Sequence, residues 1–248
     1  MGGIRDLLPT LHYYGIDTET YNNPTNGLKS IQCAGNDELL YFSTDAWDQD
    51  DLSIRFEISK KFIDWLDQKP YTCYCAFFNL DFDFSQFSYY LITQSQYTYV
   101  EHNEILKKHQ LRILESDRKI YKVEMVNANG KRILMLDIAN FLTATNLNRA
   151  CNDWIGKSKI DIDSKDFLKS PPTEIEKEYA LQDAKLTYEL YLKLIETGVI
   201  EDKTVTIAGR TIRHFEEHLK NVWGISFNRF AFGTDDKELI AQYTAQNE

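Results

Sequence analysis

The sequence predicts an α/β fold, a mixed β-sheet flanked by α-helices. Short β-prone segments open the chain, strand-like and helix-like segments then alternate, and long helical segments close it. With 248 residues, 43% hydrophobic and 13% aromatic, the chain can bury a sizeable core in one large domain or in one domain with an appendage.

Residues 11–17 read as the first strand, and residues 28–34 and 38–43 as two more around the turn signal Gly35-Asn36-Asp37. Between Ile54 and Leu66 the second half fits an amphipathic helix, with Phe62 to Leu66 supplying its buried face. Tyr71 to Phe78 is a further strand, followed by a helix over Phe84 to Ile92. Ile120–Val126 and Arg132–Ile138 flank Asn127-Ala128-Asn129-Gly130, a hairpin signal. Asn146 to Ile155 reads as a short helix. Glu174 to Leu194 reads as a long one, with acidic residues in the first turn where the dipole favours them. A last helix is expected from about Ile207 to Val222.

The bulk properties exclude several classes. No apolar run approaches a membrane span, and Met1 to Tyr14 lacks the long apolar core of a signal peptide, so the expectation is a soluble cytoplasmic protein without a membrane partner. Cys33, Cys73, Cys75 and Cys151 form no C-x-x-C pair, which argues against zinc and for buried thiols in a reducing compartment. The net charge of −10 argues against a protein held to nucleic acid by general electrostatics. Charge is uneven, however. Residues 37–69 are acid-rich, whereas residues 104–132 carry Lys107, Lys108, Arg112, Arg118, Lys119, Lys122, Lys131 and Arg132. That segment suits a phosphate backbone and suits a solvated surface equally.

Three motifs carry the chemistry: Asp17-Thr18-Glu19, Asn79-Leu80-Asp81-Phe82-Asp83 and Tyr179-Ala180-Leu181-Gln182-Asp183. Asp17 and Glu19 are two apart on a predicted strand and share a face. Tyr179 and Asp183 are four apart on a predicted helix and also share a face. Asp83 follows a strand, a usual place for site residues in α/β sheets. Four carboxylates brought together cannot all stay ionised without compensation, and hard oxygen ligands suit Mg²⁺ or Mn²⁺. Neither pair is specific alone. Asp48-x-Asp50, Asp161-x-Asp163 and Glu176-x-Glu178 have the same acid spacing as Asp17-x-Glu19. The order of the three motifs and their element context give the signal.

At these residues the chain resembles the exonuclease domain of family B DNA polymerases, most closely the protein-primed branch. The resemblance implies a ribonuclease H-like fold and the tyrosine subclass of the four-carboxylate 3′–5′ exonucleases, with Tyr179 four residues before Asp183. It implies Asp17, Glu19, Asp83 and Asp183 around two divalent ions, Asp83 acting mainly at a distance and Tyr179 orienting the attacking water. It also implies that Thr20, Asn79 and Phe82 hold the 3′ end of single-stranded DNA. The family has a catalytic lysine between its second and third motifs. Here the expected stretch reads Leu147-Asn148-Arg149-Ala150, which makes Arg149 a candidate phosphate contact and Lys157 another. Thr206-Ile207-Ala208-Gly209 and Phe215 are similar to the segment leaving that domain, and the polymerase motifs S-L-Y-P and D-T-D-S do not occur. The expectation is therefore an exonuclease domain over residues 1–203 and a helical, polymerase-like extension over residues 204–248, without DNA synthesis. Alternatives are a non-catalytic or partner-dependent proofreading subunit, docked on a separate polymerase or replication protein, and an exoribonuclease.

Overall fold

The structure is a computed structural model. It describes residues 12–21, 27–101, 105–116, 119–143, 146–160, 167–200, 215–223 and 226–232. The chain divides into two compact units, Met1–Ile200 and Glu201–Glu248.

The first unit is built on one eight-stranded mixed sheet: β1 (His12–Tyr21), β2 (Gly27–Gly35), β3 (Glu38–Phe42), β4 (Cys73–Phe77), β5 (Thr98–Tyr99), β6 (Gln110–Ser116), β7 (Lys119–Val126) and β8 (Arg132–Asp137). Their spatial order is β3-β2-β1-β4-β8-β7-β6-β5. The β1–β2–β3 meander is antiparallel, and its second connection is a two-residue turn. Asn36 and Asp37 both take positive φ there (45° and 67°), as a tight hairpin turn requires. Strand β4 then joins β1 in parallel and β8 joins β4 in parallel, so the centre of the sheet is parallel and both flanks are antiparallel.

Helices α1 (Asp51–Asp67) and α2 (Leu80–Thr93) pack together, and α1 lies on β2. Asp50 caps α1 by accepting from the Leu52 and Ser53 N–H groups. The main core lies between these helices and the sheet, with Tyr14, Ile16, Ile54, Phe62, Phe77 and Phe87 fully buried. Truncating a ring such as Phe77 to alanine would cost about 3–5 kcal/mol. Helix α3 (Leu147–Ile155) starts on an Asn146 cap and stops at Gly156, which takes the left-handed conformation. Helix α4 (Glu174–Glu196) begins with a capping box between Thr173 and Glu176 and packs on β1 and β2. Gly15 makes that packing close. A Cβ there would lie 2.2 Å from the Tyr188 nitrogen and 2.4 Å from the Ala184 oxygen, so only glycine admits the α4 backbone.

The expected α/β fold is observed, with two additions. Strands β5 and β6 were not expected, and β1 continues through its acidic motif to Tyr21. Helix α1 also spans the whole of Asp51–Asp67 rather than its second half. All four cysteines are buried and free. No helix among the described residues is long and apolar enough to cross a membrane. In the second unit the described residues include a π turn at Leu219–Trp223 and helix α5 at Phe227–Phe232. The polymerase-like Thr206–Gly209 segment and the start of the helix expected from Ile207 lie outside the described residues.

Candidate metal centre and cleft

The two faces of β1 have separate tasks. Tyr14 and Ile16 enter the core, while Asp17 and Glu19 share the face of Gly15, where α4 approaches. That approach brings Asp183, next to Ala184, against the strand. Asp17, Glu19 and Asp183 each offer a carboxylate oxygen, and these atoms all lie within 4.8 Å of one another. Glu19 is 8% exposed and Asp183 2%. Asp183 Oδ1 is buried without a hydrogen-bond partner among the described residues.

Asp83 comes from the other face of β1. The Thr18 N–H and Oγ1–H both donate to its Oδ1, at 3.1 and 2.7 Å. It is 3% exposed and stands outside the cluster of three oxygens. Asn79, just before α2, turns the chain from strand to helix in the left-handed conformation (φ 83°, ψ 61°), which asparagine tolerates better than most residues. The Asn79 carbonyl then accepts from the Phe82 N–H at 3.1 Å. Asn79 is exposed, Phe82 is 41% exposed, and Thr20 is half-buried on β1 beside a bulge in the β1–β2 ladder.

The carboxylates strain one another. Burial first and the Asp183 charge second push Asp17 up to about 7. Burial and then Asp17 raise Glu19 and Asp83 well above the ordinary range. Burial also raises Asp183, although Lys159 opposes it. One half-buried lysine is too little positive charge for four acids, and their oxygens suit a hard divalent cation. The donor set fits such an ion.

Lys159 is the residue that the sequence motifs missed. Its ammonium pairs with Asp183 Oδ2 and sits 5.1 Å from the centre of the Tyr179 ring. Arg149 lies on the solvent side of α3, 67% exposed and paired with Asp153 at 3.7 Å, and Lys157 pairs with Glu189. Neither lines the cleft among the described residues. The stop of α3 at Gly156 is legible in sequence, but the path of the chain beyond it decides which lysine arrives. The cleft encloses about 560 Å³ and is lined by Asp17, Phe78, Asn79, Asn146 and two lysines, Lys119 and Lys159.

No protein-family profile and no curated protein matches the sequence. Solved structures do. Phi29 DNA polymerase complexed with single-stranded DNA aligns over 85% of this chain and 35% of its own, with TM-score 0.63 and 15% identity. The ternary complex of that polymerase with primer-template DNA and nucleotide aligns over the same shares at TM-score 0.63 and 13% identity. The Aedes aegypti Nibbler EXO domain aligns over 80% of this chain and 89% of its own, at TM-score 0.41 and 14% identity. The chain thus spans about a third of the polymerase it matches. The fold is the ribonuclease H-like mixed sheet flanked by helices.

Proposed function

We propose that this chain is a metal-dependent 3′–5′ exonuclease that hydrolyses single-stranded DNA, with residues 1–203 as its catalytic domain. The observation that carries this reading is the cluster of Asp17, Glu19 and Asp183 oxygens, flanked by Asp83 and opened by a cleft. The shared fold with a polymerase solved on single-stranded DNA supports it.

Asp17, Glu19 and Asp183 would hold the ions, with Asp83 completing the site. Two Mg²⁺ or Mn²⁺ ions would activate a water, neutralise the phosphate and stabilise the departing alkoxide. The rest falls to the chain's own residues. Burial raises the Tyr179 hydroxyl above its ordinary value of 10.0, so it orients the attacking water and does not deprotonate it. Lys159 steadies that hydroxyl by a hydrogen bond and neutralises part of Asp183. Water attacks the terminal phosphorus, the bond to the 3′ oxygen of the preceding nucleotide breaks, and that oxygen takes up a proton. The products are a 5′-mononucleotide and a strand one residue shorter. Thr20, Asn79 and the exposed Phe82 would hold the 3′ end, stacking on the ring contributing about 1–3 kcal/mol per base. Lys159 takes the place for which Arg149 and Lys157 were candidates.

The test is digestion of a 5′-labelled single-stranded DNA oligomer with Mg²⁺ or Mn²⁺, beside an RNA oligomer of the same sequence, an EDTA control and the Asp17→Ala protein. A ladder of shortening DNA products that vanishes in both controls is expected. Preference for the RNA would make the protein an exoribonuclease. No digestion with either metal would turn the reading to a proofreading-type subunit that works on a separate polymerase, favoured by the polymerase-like sequence after Lys203.

A further inference from the structure

Lys119 opens β7, and contacts on either side fix its place. The Ile120 N–H donates to Asp81 Oδ1 at 2.7 Å, which pins the start of β7 to the first turn of α2. The Lys119 ammonium lies 3.6 Å from Asp137 Oδ2, an ion pair too long for a good hydrogen bond. Among the described residues, Asp137 Oδ2 has no hydrogen-bond partner. Asp137 itself is fully buried at the end of β8, and its other oxygen accepts from the Asn79 N–H at 3.2 Å and the Ala139 N–H at 3.0 Å. A carboxylate outside the metal cluster therefore pairs with Lys119 at the cleft wall.

Several neighbouring cations among the described residues are committed elsewhere. Arg112, Lys122 and Arg132 all converge on Glu124, and Lys159 is engaged with Asp183. Lys119 is 41% exposed, lines the same cleft as Asp17, and among the described residues makes one long ion pair. An ammonium has three donors, so most of its capacity remains for a ligand. A chain of net charge −10 with four acids at its site repels a polyanion unless a cation meets the strand.

We propose, resting on the nuclease reading of this cleft, that Lys119 binds an internal backbone phosphate of the single strand, one nucleotide or more from the bond that is cut. Asp137 sets the position of the lysine and, through the Asn79 N–H, links it to the turn that carries Phe82. Lys119 is thus a binding residue that admits the strand to an acidic site.

The test compares wild type, Lys119→Ala, Lys119→Arg and, as a control, Lys131→Ala, an exposed lysine that does not line the cleft. Each is assayed for kcat and KM on a single-stranded DNA oligomer with Mg²⁺, and for oligomer binding in EDTA across a salt series. Lys119→Ala should raise KM and Kd about tenfold, leave kcat within about twofold, and lower the salt slope by about 0.7, the share of one phosphate on a single strand. Lys119→Arg should restore all three, and Lys131→Ala should match wild type. Lys119→Ala with unchanged Kd and salt slope would overturn the proposal, as would a loss confined to kcat. Wild type that binds the oligomer but digests nothing would sink the nuclease reading alone, and the Kd comparison would still decide on Lys119. Wild type that does neither overturns both.

Discussion

Helix α4 carries two lysine sites two turns apart, and they differ in charge balance. At Glu176 the partner is Lys29, which is 1% exposed, 2.8 Å from Glu176 Oε1 and 2.9 Å from the Leu168 carbonyl. Trp47 and Phe167 cover it, with ring centres 5.9 and 5.5 Å away. At Asp183 the partner is Lys159, against the Tyr179 ring and beside Asp17 and Glu19. The ingredients are alike: a lysine, an aromatic and an α4 carboxylate. The first site has one acid for one base. Burial opposes ionisation of Glu176, but the Lys29 hydrogen bond and the Thr173 cap hold its carboxyl below the usual range. The second site has several acids for one base, and there every carboxyl is pushed up. The balanced pair fastens α4 to β2. The unbalanced one leaves negative charge for a metal ion.

The largest effect should come from the unbalanced site. Asp17→Ala with Glu19→Ala should lower exonuclease activity by at least about 10³-fold, because several kcal/mol of transition-state charge stabilisation are lost. The same protein should melt in EDTA no lower than wild type, since like charges are removed. A clear drop in melting temperature would make the cluster structural and erase the contrast. Lys29→Met should do the reverse. Leaving Glu176 without its buried partner should cost about 3–5 kcal/mol of stability, read by urea unfolding, while kcat of the folded protein stays near that of wild type.

Much of this was legible in the sequence, for identifiable reasons. Asp17 and Glu19 obey the strand period, and Tyr179 and Asp183 obey the helix period, so their shared faces follow from spacing alone. Strand β6 (QLRILES) stayed hidden because it lies near the sheet edge, half-buried, with Arg112 satisfied by Glu124 across the ladder. It reads as a basic surface segment. Lys159 stayed hidden because it belongs to no period, and Asp137 because its place on a predicted strand does not say what its carboxylate meets. The first is placed by the chain after Gly156, and the second, at the end of β8, meets the Asn79 N–H from a distant turn.

Smaller effects would sharpen the comparison. Tyr179→Phe should lower kcat about tenfold, the worth of one hydrogen bond of about 1.4 kcal/mol, with little change in KM. An unchanged kcat would leave Tyr179 as a packing residue. The last effect concerns pH. The folded Asp17 titrates near 7 against an ordinary 3.8, so between those values the folded state binds more protons than the unfolded one. Its contribution to stability is present at low pH and is lost as pH rises toward 7. In EDTA, wild type should lose stability over that window more steeply than Asp17→Asn, and Mg²⁺ should remove the difference at pH 7. Parallel pH curves for the two proteins would count against a strained cluster.

The most direct measurement is calorimetric titration of Mn²⁺ into wild type and into Asp183→Asn, each first freed of metal. The charge imbalance predicts specific binding by wild type, with proton release that grows as pH falls below 7, and binding at least about tenfold weaker in Asp183→Asn. Wild type that takes up no Mn²⁺, or Asp183→Asn that takes it up equally well, would contradict the assignment of Asp17, Glu19 and Asp183 as a metal centre.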